Sequence, residues 1–501
     1  MANNMKQAEE KFTDYLKRKN HYEQLLGLMI WDARTGAPTG AVEQRADVMS
    51  TIQATSFLTT SSELKELIDE LKTKTDSSVV LKRAVEEAEK AYNRNTKIPA
   101  DEYTAFVKLQ TNAEAKWEEA KRENDFDIFK PYLKELVAFK KRFINYLGYE
   151  KHPYNTLLDD FEPGVFTDTL DAVFSELKSH LIPLIQRVSA SKHQPETTCL
   201  FKHFPKSDQE KLNVSFLKTM NYDFTKGRLD ESVHPFAIGI NPSDVRVTTK
   251  YNENDFRVAL LGTIHEGGHA LYEQHIDESL IPYNLARGTS MGIHESQSLF
   301  WEKFIGQSYS FWEGMYQELA AHGTGQFEHV PLDDFYFALN ESKPSMIRIE
   351  ADELTYCLHI ILRYELEKGL FEGSIEVDEL PKLWNDKMEE YLGIRPQHNG
   401  EGVLQDVHWS SGDFGYFPSY ALGFIYAAQI NQVIKKRIPE TDDLIRSENL
   451  EPIREWLTEH IHQYGAVKKP KDLIEAITGG GIDPQPLIHY LTEKYTRLYK
   501  L

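Results

Sequence analysis

The segment that most constrains this chain is His265-Glu266-Gly267-Gly268-His269, which lies in an apolar run without proline. Side chains four residues apart on an α-helix lie on the same face, so the two histidines can bind one metal ion. Glu266 directly follows the first histidine, where its carboxylate can meet a water molecule at that ion. Glycine costs up to about 1 kcal/mol inside a helix, so the Gly-Gly pair predicts that another segment packs closely here. The alternative is an exposed helix whose two histidines are only solvated.

A third candidate ligand follows on the next predicted helix. Catalytic zinc sites take three protein ligands and keep one position open. His294 and Glu295 are adjacent there, and neighbours on a helix point about 100° apart, so only one of them can face the ion. Glu295 is the predicted ligand, because a loop and the start of a second helix fit between His269 and this residue. His294 is the rival ligand.

The composition excludes several classes of function. The formal net charge is −21, which argues against nucleic acid or an anionic membrane surface as a partner, because both need a basic face. Two cysteines, Cys199 and Cys357, cannot form a disulfide framework, which favours a reducing compartment. The polar N-terminal segment lacks the apolar core of a signal peptide, and no apolar run reaches the length of about 18 residues that a membrane span needs. We therefore expect a cytoplasmic protein.

The rest of the chain is predicted to form mainly amphipathic helices. Apolar residues recur at helical spacing from residue 5 to residue 30 and in several later segments. No linker, low-complexity segment or internal repeat divides the sequence. We predict a mainly α fold, in which residues 1–501 form a single domain with two lobes around a groove.

A β-hairpin is predicted directly before the metal-binding segment. One short β-prone run ends at Ile240 and another begins at Val245, with Asn-Pro-Ser-Asp as the turn between them. A small sheet at this place could offer an unpaired edge to an extended peptide, which would bind largely through its main chain. The alternative is a structural hairpin that fills a gap.

Two later segments carry further candidate residues. Arg348 lies among carboxylates, and it fits either a surface salt bridge or a clamp for a substrate carboxylate, because guanidinium and carboxylate pair in a planar, bidentate way. The loop at 402–420 contains three glycines, five aromatic residues and a histidine. Such a loop either fills a core or lines a site. His408, Tyr416 and Tyr420 in this loop can donate hydrogen bonds to a developing oxyanion.

Together these segments resemble the carboxypeptidase Taq family of metallocarboxypeptidases. The motifs that carry the resemblance span the chain and are Trp31-Asp32-x-x-Thr35-x-x-Pro38, Asp230…His234-Pro235-Phe236, Asp244-x-Arg246-x-Thr-Thr-Lys-Tyr251, His265-Glu266-x-x-His269, His294-Glu295-Ser-Gln297, Ile347-Arg348-x-Glu350-Ala-Asp352-Glu353 and His408-Trp-Ser…Gly415-Tyr-Phe-Pro-Ser-Tyr420. The metal motif shows no departure from the family pattern.

The resemblance implies a fold and an activity. It implies an almost entirely helical protein with a long substrate groove that runs to the metal, and a small sheet beside the helix with the two histidines. It implies a homodimer that removes single residues from peptide C-termini with broad side-chain tolerance. Zinc is the implied metal, one ion per subunit, and cobalt can replace it in such enzymes.

The resemblance and the residue chemistry together give each candidate residue a role. The metal ligands are His265, His269 and Glu295, and Glu266 is the general base. Tyr420, with His408 and Tyr416 as further candidates, stabilises the oxyanion, where one donor is typically worth roughly 3 kcal/mol. The candidates for substrate binding are Arg348 first and Arg246 second for the C-terminal carboxylate, and His234, which lies near the substrate or makes a structural hydrogen bond.

Two other functions remain open at this stage. An endo-oligopeptidase or a dipeptidase could use the same metal centre, because cleavage position depends on what blocks or clamps the groove. A catalytically silent helical binding protein would keep the same fold. Such a protein would be expected to lack Glu266, and Glu266 is present.

Overall fold

The computed structural model describes residues 2–58, 62–74 and 76–501, and it is mostly helical. The α-helices in these ranges are, in chain order, α1 (Ala2–Thr35), α2 (Val42–Leu58), α3 (Ser62–Lys72), α4 (Val79–Lys97), α5 (Ala100–Glu123), α6 (Phe126–Leu147), α7 (Tyr154–Leu158), α8 (Thr167–Ala190), α9 (Lys206–Thr219), α10 (Arg257–Gln274), α11 (Met291–Leu299), α12 (Tyr309–His322), α13 (Leu332–Leu339), α14 (Tyr356–Glu372), α15 (Leu380–Leu392), α16 (Phe417–Arg437), α17 (Thr441–Arg446), α18 (Glu451–His460), α19 (Pro470–Thr478) and α20 (Gln485–Tyr499). Among the residues described, none of these helices combines the length and the apolar character that a membrane crossing requires. The predicted mainly α fold is confirmed.

The sheet contains the predicted hairpin and one strand more. Strands β2 (Ala237–Asn241) and β3 (Asp244–Thr249) are antiparallel, and the turn between them is stabilised by the Asn241 side chain, which accepts a hydrogen bond from the Ser243 amide. Strand β1 (Leu229–Glu231) pairs in parallel with β3, so the order is β1-β3-β2. The sequence analysis did not predict β1, because a strand of three residues has too little periodicity to be recognised.

The site is assembled where α10, α11 and α16 cross at glycines. A Cβ atom added at Gly268 would lie 2.7 Å from the carbonyl oxygen of Gln297 on α11. One added at Gly423 on α16 would lie 2.6 Å from Cγ of Glu295. A Cβ atom added at Gly267 would lie 2.7 Å from Cδ2 of Leu217 on α9. The predicted close approach at the Gly-Gly pair is therefore confirmed, and it lets α11 cross directly over the two histidines.

The start of α11 is fixed by buried hydrogen bonds. Ser290 caps the helix by accepting a hydrogen bond from the Ile293 amide. The carboxylate of Glu162 is fully buried and accepts from the Gly292 amide at 2.9 Å and from the Tyr426 hydroxyl at 3.1 Å. These contacts hold the helix that carries His294 and Glu295 against α16.

Helix α16 begins earlier than the sequence indicated. It starts at Phe417, so Tyr420 lies in its first turn, whereas the sequence analysis placed this residue in the preceding loop. Pro418 occupies the first turn, where its missing N–H is not needed by the helix. Tyr420 is therefore held by helical backbone rather than by a loop.

Candidate active site

A groove of about 1290 Å³ runs over α10 and brings most of the predicted site residues together. The predicted residues that line it are His234, His265, Glu266, His269, Glu295, Arg348, Tyr416 and Tyr420. His408 and Arg246 do not line it within the described part of the chain.

His265, His269 and Glu295 can hold one metal ion. Their candidate ligand atoms all lie within 4.8 Å of one another. Oε2 of Glu295 is 3.8 Å from Nε2 of His265 and 3.4 Å from Nε2 of His269. Ligands about 2.0–2.2 Å from a tetrahedral ion lie about 3.3–3.6 Å apart, so the spacing fits a single ion with little adjustment. The same three residues were predicted from the sequence.

The far nitrogen of His265 is held by a second carboxylate. Nδ1 of His265 lies 2.8 Å from Oε2 of Glu302, and Oε1 of Glu302 accepts a hydrogen bond from Nζ of Lys303 at 2.6 Å. Burial alone would raise the pKa of Glu302, but Lys303 and His265 overcome this effect and lower it to about 2. An ionised Glu302 keeps the proton on Nδ1, so Nε2 presents its lone pair to an ion.

The far nitrogen of His269 is held through His294. Nδ1 of His269 lies 2.5 Å from Nδ1 of His294, and Nε2 of His294 lies 2.8 Å from Oε1 of Glu273. If Nε2 of His294 donates to the Glu273 carboxylate, Nδ1 of His294 is the acceptor and His269 is the donor. His294, the rival ligand, therefore contacts the nitrogen of His269 that faces away from the proposed ion. It orients the His269 ring and does not join His265 and Glu295 around that ion.

The carboxylates of Glu295 and Glu302 favour a positive charge between the two histidines and Glu295. Burial would lower the pKa of His265, but Glu295 and Glu302 outweigh it and raise the pKa to about 9. Burial lowers the pKa of His269 to about 4, so this imidazole is neutral at pH 7. A site that stabilises a proton among buried carboxylates also suits a cation, which would take that proton's place.

Glu266 lies between the ligands and the sheet. Burial raises the pKa of its carboxyl to about 7, while His265 beside it works in the opposite direction. The Ala237 amide at the start of β2 also faces this carboxylate and lowers its pKa. β2 is an outer strand of the sheet, and Ala237 lines the groove. The start of this edge strand therefore lies at the groove, where the sequence analysis suggested that an extended peptide could bind, and the Glu266 carboxylate faces its Ala237 amide.

Tyr420 lines the same groove, and His408 contacts its hydroxyl. Nε2 of His408 is 3.2 Å from the Tyr420 hydroxyl oxygen, and Nδ1 of His408 is buried with no partner among the described residues. Burial lowers the pKa of His408 to about 4, so the ring is neutral at pH 7. A buried unpaired N–H costs more than an unpaired lone pair, so Nε2 carries the proton and donates it to Tyr420. The Tyr420 proton is then left for a second acceptor on the groove side, where the Tyr416 hydroxyl lies.

Tyr416 extends the aromatic wall. Its ring centroid is 5.0 Å from that of Tyr420 and 5.0 Å from that of Phe161. Its hydroxyl lies 4.0 Å from the sulfur of Met291, and the Tyr420 hydroxyl also faces it. Tyr416 thus lines the groove beside Tyr420 with a hydroxyl that can turn towards a ligand.

Arg348 is buried and fixed by a carboxylate that the sequence analysis did not single out. Its Nε donates to Oδ1 of Asp406 at 2.9 Å, and Arg363 donates to the other oxygen of Asp406 at 2.7 Å. The Arg348 guanidinium stacks 4.8 Å from the ring centroid of Tyr420. No hydrogen bond within the described chain occupies its terminal nitrogens, so they are available at the groove wall.

The second arginine candidate and His234 have different surroundings. Arg246 is paired through Nε and Nη2 with Asp244 at 2.7 and 2.8 Å, and its guanidinium lies 5.6 Å from the ring centroid of Trp31. The His234 ring is exposed at the groove, while its backbone carbonyl accepts a hydrogen bond from Ser232. Arg348 is therefore the better placed of the two arginines to meet a substrate.

The comparisons with known proteins agree with this geometry. The family described as Carboxypeptidase Taq (M32) metallopeptidase matches residues 11–495. Carboxypeptidase 1 of Bacillus subtilis is 53% identical over 495 residues, which cover 98% of this chain and 99% of that protein. Thermostable carboxypeptidase 1 of Thermus thermophilus is 35% identical over 98% of this chain and 99% of its own.

Solved structures give the same result for the fold. The M32 carboxypeptidase of Deinococcus radiodurans superposes with a TM-score of 0.96 at 31% identity and covers 99% of this chain and 100% of its own. Metallocarboxypeptidase 1 of Trypanosoma cruzi gives 0.93 at 35% identity, over 99% of this chain and 100% of its own. With the metal-binding geometry in place, the chain belongs to the carboxypeptidase Taq (M32) family and is a metallocarboxypeptidase.

Proposed function

We propose that the enzyme removes single residues from peptide C-termini with broad tolerance for the side chain, and that the residues described above perform the reaction. When bound, a divalent cation at His265, His269 and Glu295 would polarise the scissile carbonyl and acidify the attacking water. Glu266 accepts the proton of this water and later donates it to the leaving amine. The raised pKa of Glu266 suits a base that must both take and return a proton near neutral pH.

Tyr420 stabilises the negative charge that develops on the carbonyl oxygen. Its hydroxyl receives a hydrogen bond from His408 and so presents its own proton to the groove. Tyr416, beside it on the same wall, is a further donor to the substrate. His408 acts through Tyr420 and does not touch the substrate.

The observation that carries the exopeptidase assignment is the position of Arg348. A buried guanidinium, anchored through Nε and open at its terminal nitrogens, lies against the ring of Tyr420. It can therefore bind the terminal carboxylate of a peptide whose last bond is beside Glu266. An endopeptidase would have no use for a fixed positive charge at this position, because an internal peptide bond offers no carboxylate.

Blocking the substrate carboxylate tests this assignment. We expect a peptide with a free C-terminus to be shortened, and the same peptide with a C-terminal amide to be cleaved at least about 30-fold more slowly, because a lost charge-assisted pair costs about 2 kcal/mol or more. The two peptides are compared at equal concentration by chromatography. Equal rates, or cuts within the chain of the amide, would support the endo-oligopeptidase instead.

The remaining properties of the proposal rest on the donor set, on the composition and on the family resemblance. Two imidazoles and one carboxylate are typical of catalytic zinc, so zinc, one ion per subunit, is the proposed metal and cobalt a substitute. We propose a cytoplasmic homodimer that works as one catalytic domain per chain, on peptides rather than on nucleic acid or membranes. Metal analysis of the purified protein and its mass in solution test the metal and the dimer.

A further inference from the structure

Tyr356 lies in the groove but has no role in the reaction described so far. It is the first residue of α14, and its side chain lines the groove together with Glu295 and Arg348. Among the described residues its hydroxyl has no hydrogen-bond partner, and the residue is only partly buried at the groove. A phenol that opens on a substrate groove without a partner is available to a ligand.

The position of Tyr356 is fixed by a turn built around Asp352. The Asp352 side chain accepts hydrogen bonds from the Leu354 and Thr355 amides at 2.9 and 3.1 Å, and from the Ser342 hydroxyl at 2.9 Å. The Asp352 carbonyl accepts from the Tyr356 amide at 3.0 Å. These hydrogen bonds fix the backbone from which the Tyr356 side chain extends into the groove.

Tyr356 shares the groove with charged groups of both the metal site and the Arg348 region. Burial raises the pKa of Tyr356 well above its usual range; among the charged groups, Glu295 acts in the same direction and Arg348 in the opposite one. A tyrosine hydroxyl is protonated near neutral pH, so it can act as a hydrogen-bond donor. Tyr420 differs, because its hydroxyl is already engaged by His408.

We propose that the Tyr356 hydroxyl and the terminal nitrogens of Arg348 bind the same C-terminal carboxylate of the substrate. Both groups line the groove, both are donors, and within the described chain neither the phenol nor the terminal nitrogens have a hydrogen-bond partner. A carboxylate offers two acceptor oxygens and a negative charge, which matches this pair. A terminal amide would direct an NH2 group at a set of donors, so the pair discriminates against it. The inference rests on the proposed role of Arg348 and adds a second, uncharged contact.

The test is a binding measurement in which no cleavage takes place. Metal-loaded Glu266→Gln enzyme and its Tyr356→Phe derivative are titrated calorimetrically with one peptide as the free acid and as the amide. Because a hydrogen bond to a charged group is lost, we expect Tyr356→Phe to raise the Kd of the acid roughly 10- to 100-fold and to leave the Kd of the amide unchanged. Equal metal content and an equal melting temperature establish that the site is intact. Tyr146→Phe, on α6 outside the groove, is the matched control.

The outcomes separate this inference from the proposed function. If Glu266→Gln enzyme prefers the acid and Tyr356→Phe keeps that preference, the role of Tyr356 is wrong and the role of Arg348 stands. If Glu266→Gln enzyme does not prefer the acid, both are wrong. If Tyr356→Phe leaves both Kd values unchanged and, in enzyme with Glu266 present, lowers kcat, then the phenol stabilises the oxyanion and the carboxylate role is overturned.

Discussion

Replacing Glu266 by glutamine is expected to lower kcat by roughly 100- to 10,000-fold while the metal is retained. The amide has nearly the size and shape of the carboxylate but cannot accept a proton from the attacking water. The three residues that hold the ion are unchanged, so metal content should match that of the unmodified enzyme. Steady-state kinetics and metal analysis of the same preparation give both values.

A second variant controls for the loss of a negative charge. Glu390→Gln removes a carboxylate from an exposed position on α15, away from the groove, and should leave kcat unaffected. Full activity in Glu266→Gln would contradict the general-base assignment. Loss of metal in that variant would show that Glu266 helps to hold the ion, which the positions of the other three residues do not predict.

Replacing Arg348 by alanine is expected to lower kcat/KM for free-acid peptides by roughly 30-fold to several thousandfold, which corresponds to about 2–5 kcal/mol. The value of kcat/KM for the amide of the same peptide should fall far less, because the amide makes no ion pair with Arg348. Asp406 keeps both contacts with Arg363, at 2.7 and 2.6 Å, so the substitution does not leave this carboxylate unpaired in the interior. The readout is the ratio of kcat/KM for acid and amide.

Arg246→Ala is the matched arginine variant. This side chain is paired with Asp244 and lies outside the groove lining within the described residues, so its removal should leave the acid-to-amide ratio unchanged. If the ratio falls in Arg246→Ala and not in Arg348→Ala, the carboxylate clamp lies at Arg246. Equal loss on acids and amides in Arg348→Ala would mean that this arginine supports the fold of the site and does not recognise the terminus.

The metal-binding triad could be predicted because its geometry is local. His265 and His269 lie one helical turn apart, so their common face follows from the sequence alone. The Gly-Gly pair between them indicated a close neighbour, and α11 is that neighbour. Glu295 needed one further step, because its place depends on how the next helix crosses, but the adjacent His294 was the only competitor.

The groups that orient the triad could not be predicted in the same way. Glu302 reaches His265 from a π-helical segment, Phe300–Gly306, whose altered winding no simple periodicity reveals. Glu273 acts through His294, which joins two helices that are separate in sequence. In the sequence, Glu302 and Glu273 look like solvated surface residues. Their role in orienting the histidines becomes recognisable only when the histidine that each one contacts is known.

The same limit applies to the carboxylate clamp. Asp406 lies within the loop at 402–420 that was singled out, yet its partners Arg348 and Arg363 come from distant positions. Tyr356 follows the motif that ends at Glu353, but its place at the groove depends on the turn at Asp352. Motif spacing located the segments, and long-range packing decided which of their side chains face the groove.

The most direct test of the account is mass spectrometry of a mixed peptide pool after incubation with the enzyme, with and without a chelator. The account predicts products shortened stepwise from the C-terminus, one residue at a time, and no products when the metal is removed. It also predicts that adding back zinc restores the series. Internal cuts would contradict the exopeptidase assignment, and stepwise shortening that persists in chelator would contradict the role of the metal.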